Sequence, residues 1–149
     1  MGTFMGCGGG YAMDFGQFGT VSFASQTKVN AFVERLHAGK VSGSRCKQCG
    51  LSYFPPRADC CRCLSNEMAW FDIKGIGTLV SFSTLSYAPT GFEQDLPYTV
   101  GLARFDKDIQ VFGRLSRSIM AEDLAVGMDL VVSPLRLPGN RIVYELTRP

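Results

Sequence analysis

"CKQCGLSYFPPRADCCRC", residues 46–63, holds five of the six cysteines of a 149-residue chain. Cys46 with Cys49 and Cys60 with Cys63 form two C-x-x-C pairs separated by ten residues, a spacing that lets a hairpin bring four thiolates into a tetrahedron. Gly50, directly after the first pair, permits the positive φ at which backbone amides turn toward the sulfurs. Leu64 occupies the equivalent place after the second pair, so that turn is expected to be made differently. Cys61 would replace Cys60 only through a poorer C-x-C turn and reads as a neighbouring thiol. Four sulfur ligands close the coordination shell, whereas catalytic zinc keeps a position open and usually takes histidine or carboxylate ligands. Zinc is the default ion; iron would require an electron-transfer role that nothing else in the chain suggests. The cluster therefore reads as a structural zinc site, whose binding free energy, on the order of 10–16 kcal/mol, orders a segment with almost no core of its own.

Outward from the cysteines the texture changes. Residues 1–24 are glycine-rich, lack the basic start and apolar run of a secretion signal, and read as a flexible leader containing Cys7 as a free thiol and Met13 as an alternative start. Over residues 25–40, Val29, Phe32, Val33 and Leu36 recur at helical spacing, with Ser25 or Thr27 to cap the start and Gly39 to end it. That amphipathic helix either packs on the rest of the chain or presents Phe32 to a partner. Residues 41–68 form the ribbon. Residues 69–149 are rich in short strands: one long strand from Trp70 bent at Gly75 and Gly77, a hairpin about Asp106, Lys107 and Asp108, a short helix "AEDLAVG" ending on Gly127, and two final strands facing each other across Pro138, Gly139 and Asn140. Five strands with a helix between the third and fourth is the order of an OB-fold β-barrel. The expected fold is thus mostly β: an N-terminal α-helix, a small zinc ribbon and a five-stranded OB-fold barrel. The long loop "APTGFEQDLPY" carries Phe92, a large apolar group in a segment that needs none, and is a candidate contact surface.

Several function classes fall away on composition. With 46% hydrophobic and 19% charged residues and a net charge of +2, the chain has the make-up of a folded domain rather than a dedicated polyanion binder. No stretch approaches the twenty apolar residues of a membrane span, and clustered reduced cysteines suit the cytoplasm. His37, the only histidine, lies on the expected helix and reads as a helix residue rather than a general base. No nucleophile elbow, P-loop or dinucleotide fingerprint is present, and the carboxylates sit in turns and caps, so independent catalysis is not expected. A single-stranded nucleic-acid binder is the rival reading, with Arg45, Lys47, Arg57 and Arg62 beside Tyr53 and Phe54, but the barrel strands carry no evident basic and aromatic face.

The run Cys46, Lys47, Gln48, Cys49, Gly50, then Phe54, Pro55, Pro56, Arg57, then Cys60 and Cys63, followed by "GTLVSFS", "PYTVGLARFD", "VFGRL" and "AVGMDLVV", resembles the DUF35 family over about residues 28–147. These are zinc-ribbon proteins with a C-terminal OB-fold. The resemblance implies a non-catalytic subunit of a thiolase-type acyltransferase or aldolase, in which the thiolase-fold partner supplies the catalytic residues and the small chain helps to form the coenzyme A or acyl-CoA site. It implies zinc on Cys46, Cys49, Cys60 and Cys63, and a hetero-oligomer with two copies of each chain. Phe54, Pro55 and Arg57 would then face the partner, Arg57 pairing with a CoA phosphate as guanidinium does bidentately. The alternative is that Phe54 and the prolines pack the ribbon on the barrel.

Overall fold

A computed structural model describes Met13 and residues 15–18, 26–106 and 109–149. Cys7, and with it most of the expected leader, lies outside the described residues, as do Lys107 and Asp108 of the expected hairpin turn. Residues 15–18 depart from the leader reading. They form a 3-10 turn, Phe15–Phe18, in which Phe15 stacks on Phe32 at 6.1 Å and Gln17 is buried against His37 Nε2 at 2.7 Å.

The helix α1, Ala31–His37, is shorter than residues 25–40 because its entry is a turn rather than a helical one: Phe32 and Val33 N–H groups reach back only three residues, to Val29 and Asn30 carbonyls. Thr27 Oγ1 accepts from Val29 N–H at 3.1 Å. Its exit is a Schellman motif: the Gly39 N–H bonds the Leu36 carbonyl and the Lys40 N–H the Arg35 carbonyl, with Gly39 at φ +80°.

Strands β1 (Ser42–Cys46), β2 (Ser52–Tyr53) and β3 (Met68–Asp72) make an antiparallel ribbon sheet in the order β2-β1-β3. Gly43 lies in its middle strand, where an added β-carbon would meet the Tyr53 carbonyl at 2.5 Å and the Phe71 ring at 2.6 Å, so no larger residue fits. The flanking Ser42 and Ser44 are buried polar groups, and each has a partner: Ser42 Oγ donates to Asp72 Oδ1 (2.8 Å) and Ser44 Oγ to the Arg57 carbonyl (2.9 Å).

The expected single bent strand from Trp70 is two strands in two sheets. β3 ends at Asp72, the chain turns through Gly75 at φ +83°, and β4 (Gly77–Leu85) begins the barrel. β5 (Tyr98–Asp106), β6 (Ile109–Leu115), β7 (Asp129–Leu137) and β8 (Arg141–Thr147) complete a closed barrel in the order β4-β5-β6-β8-β7, with β6 and β8 parallel. This is the expected five-stranded OB order. The expected "AEDLAVG" helix is only a 3-10 turn, Ala121–Asp123, although Gly127 does take a positive φ. Seven residues with one half-buried apolar side chain, Leu124, cannot nucleate a stable helix.

Barrel interior and helix share one core. Leu79, Val111, Leu130, Ile142 and Leu146 fill the barrel, each 1% exposed or less, and Phe32, Val33 and Leu36 join the same cluster from α1. The apolar face of α1 is spent within the chain. Among the described residues no helix is long and apolar enough to cross a membrane.

Candidate metal centre

The ribbon hairpin brings the four predicted ligands together: the Sγ atoms of Cys46, Cys49, Cys60 and Cys63 all lie within 4.8 Å of one another. Cys46 and Cys63 sulfurs are 3.5 Å apart and those of Cys49 and Cys60 3.4 Å apart, far beyond a disulfide bond. Tetrahedral zinc at about 2.3 Å from each sulfur would set them about 3.8 Å apart, so the donor set and its spacing fit the ion.

The two knuckles are built alike. In the first, Gly50 N–H bonds the Cys46 carbonyl and Cys46 N–H the Leu51 carbonyl; in the second, Leu64 N–H bonds the Cys60 carbonyl and Cys60 N–H the Ser65 carbonyl. Gly50 has φ +73° and Leu64 φ +60°. The second turn is therefore not made differently: a leucine adopts the left-handed conformation, its side chain 84% exposed. The Cys49 N–H points at Cys46 Sγ (3.5 Å) and is the leading reason that this thiol's pKa is lowered.

Tyr53, on β2, belongs to the site although the sequence reading placed it only on a nucleic-acid surface. Its hydroxyl donates to Cys60 Sγ at 3.1 Å and accepts from the Cys61 N–H at 3.1 Å, and it lies 3.4 Å from the exposed Cys61 thiol. That hydrogen bond is the main cause holding the Cys60 thiol down, to about 6. Only the fold brings Tyr53 here; its place four residues after Cys49 carries no recognisable signal.

The residues expected at a partner surface separate into two groups. Phe32, 2% exposed, is core and presents nothing to a partner: its ring meets Phe54 at 6.2 Å and Tyr144 at 6.1 Å. Phe54 is half-buried, its ring edge-on to Tyr144 at 5.2 Å, so it packs ribbon on barrel as the alternative reading had it. Pro55 and Arg57 are exposed. The Arg57 guanidinium lies over the Tyr53 ring at 5.3 Å, and the Arg57 backbone N–H donates to Ser44 Oγ at 2.8 Å, which pins the loop to β1. Phe92 is half-buried at the edge of a cleft on the barrel.

With this geometry in view, two adjoining family models match the chain: the rubredoxin-like zinc ribbon domain of ChsH2 over residues 34–69 and the C-terminal OB-fold domain of ChsH2 over residues 70–133. The chain belongs to the ChsH2 (DUF35) family. Among DUF35 relatives, a "DUF35 domain-containing scaffold protein" of Methanocaldococcus jannaschii is 30% identical over 89 residues, which are 59% of this chain and 62% of that protein. A protein of the same description from Pyrococcus furiosus is 26% identical over 91 residues, 61% of this chain and 65% of the relative. The match thus spans less than two thirds of either relative. A solved structure described as an Ltp2-ChsH2(DUF35) aldolase has the same fold, with a TM-score of 0.69 at 21% identity over 84% of this chain and 98% of that one.

Proposed function

We propose that this chain is a cytoplasmic, non-catalytic subunit of a thiolase-fold acyl-CoA enzyme, with zinc on Cys46, Cys49, Cys60 and Cys63 as a structural ion. The observation that carries the reading is the paired ribbon and barrel, which matches almost the full length of a DUF35 chain from an aldolase assembly with Ltp2. The metal centre agrees with it: when bound, the ion supplies a rigid cross-link and no Lewis-acid position, because all four donors are sulfur. His37, the single histidine, lies on α1 with its Nε2 2.7 Å from Gln17 Oε1, away from the metal centre. The exposed Pro55–Arg57 edge, anchored through Ser44, is the surface we assign to the partner, with Arg57 available to a CoA phosphate through the guanidinium edges not laid on Tyr53.

Acyl-chain selection then resides in the partner, and two copies of each chain follow from the dimeric habit of thiolase-fold enzymes. The test is affinity purification from the native host followed by size exclusion. A larger CoA-dependent enzyme should co-elute and lose solubility or activity without this chain, and Arg57→Ala should weaken assembly or raise the KM for acyl-CoA without lowering thermal stability. Elution of the chain alone at micromolar concentration, with no such enzyme retained, would refute the assignment.

A further inference from the structure

A cleft of about 290 Å³ lies over β5, β6 and β8 on the outside of the barrel, and none of its lining residues belongs to the metal centre or to the Pro55–Arg57 segment. Its walls are apolar: Phe92 from the β4–β5 loop, Tyr98 and Val100 on β5, Leu137 and Val143 at the far side. Two guanidiniums enter it. Arg141, 8% exposed, gives Nη1 and Nη2 to the two carboxylate oxygens of Asp95, each at 3.1 Å, and Arg117 Nη2 holds the Asp95 carbonyl at 2.8 Å, so the loop is clamped over the sheet. Arg114 has no such partner. Among the described residues its side chain makes no hydrogen bond or ion pair, its Nε, like that of Arg141, is buried without an acceptor, and its register neighbour Glu145 is not within ion-pair distance.

Two guanidiniums against one carboxylate leave a single positive charge, that of Arg114, in an apolar concavity. We infer that this cleft binds a small apolar monocarboxylate whose carboxylate pairs with Arg114 and whose hydrocarbon body lies among Phe92, Val100 and Val143. The volume corresponds to roughly ten non-hydrogen atoms at about 30 Å³ for each water-sized group. Carboxylate matches the planar guanidinium through its two terminal Nη groups, and one charge suits one unpaired arginine. A nucleic-acid strand would need several cations along its path, which the cleft does not have. The position also agrees with the general habit of OB-fold barrels, which hold ligands on the face of their second and third strands beside the first loop. The inference is independent of the subunit reading above.

Isothermal titration of the zinc-loaded full chain with octanoate and with 3-phenylpropanoate tests it. Saturable binding at roughly millimolar concentration or tighter is expected, with octan-1-ol about tenfold weaker and Arg114→Gln reducing octanoate affinity by about tenfold or more at an unchanged melting temperature. Arg136→Gln, an exposed position on β7, should bind as the parent does. Should the glutamine variant fail to fold, Arg114→Lys, which keeps the charge and loses the fork, should bind with intermediate affinity. Absence of saturable binding, equal binding of octanoate and octan-1-ol, or binding unaffected by either Arg114 substitution overturns the inference. A peptide with a free C-terminal phenylalanine that bound more tightly than octanoate would reassign the cleft to a protein chain end and overturn it as well.

Discussion

Leu64 holds a left-handed backbone at φ +60° with its side chain 84% exposed, so nothing in its packing offsets the steric conflict of a β-carbon there. Left-handed residues of this kind cost about 1–2 kcal/mol, and the freedom that glycine adds to the unfolded chain returns part of that. Leu64→Gly is therefore expected to raise the stability of the zinc-loaded protein by about 0.5–1 kcal/mol in a denaturant titration; an unchanged or lower midpoint would show that the turn is not strained. The four ligands themselves were legible in the sequence, because C-x-x-C spacing is a local property. The conformation after Cys63 was not. An ion gripping both cysteines selects the knuckle whichever residue follows, and the identity of that residue reports only the cost. Tyr53 was hidden for the opposite reason, since its bond to Cys60 arises from strand pairing between β1 and β2 rather than from neighbours in the chain.

Among the elements, α1 is tied to the ribbon through Asp72 at the end of β3. Ser42 Oγ donates to its carboxylate at 2.8 Å, Arg35 Nη1 bonds it at 3.1 Å, and Lys40 Nζ stands 4.0 Å away. The Ser42 hydrogen bond first, then the charges of Lys40 and Arg35, hold the Asp72 carboxyl below the usual carboxylate range against the opposing effect of burial. A lowered pKa in the folded state means that the stabilisation is complete above the ordinary carboxylate value of about 3.9 and is lost as pH falls through the lowered one. Asp72→Asn should therefore be less stable than the parent near neutral pH, with the difference shrinking below about pH 4. Urea midpoints measured across that range check this, and a gap independent of pH would contradict it. The same region shows what periodicity can and cannot say. A β-branched and aromatic run marked strand from Trp70 onward, but which sheet receives each half depends on the turn at Gly75 and on Gly43 admitting Phe71, and neither contact has a local signature. The amphipathic helix was clear from its apolar spacing, while its shorter extent reflects the turn at residues 28–30.

At the scale of the molecule, the barrel has a hydrophobic interior of its own, whereas the ribbon buries chiefly cysteines and serines around the metal centre. Removing zinc with a chelator is expected to abolish amide-exchange protection at Cys46, Gly50, Cys60 and Leu64 while the Leu79 and Ala103 amides of the barrel stay protected. Simultaneous loss at all of these positions would mean that ribbon and barrel unfold as one unit. The order of the barrel strands was readable from length and alternation, and the five-stranded arrangement follows it. The binding-competent cleft was not, because Arg114, Arg141 and Asp95 come from separate strands and a loop, and only barrel closure gathers them.

Tyr144 packs against Phe54 at 5.2 Å and also lines the barrel cleft, while its hydroxyl donates to the Phe112 carbonyl at 3.0 Å. The ribbon loop and the cleft consequently have this one residue as a common neighbour.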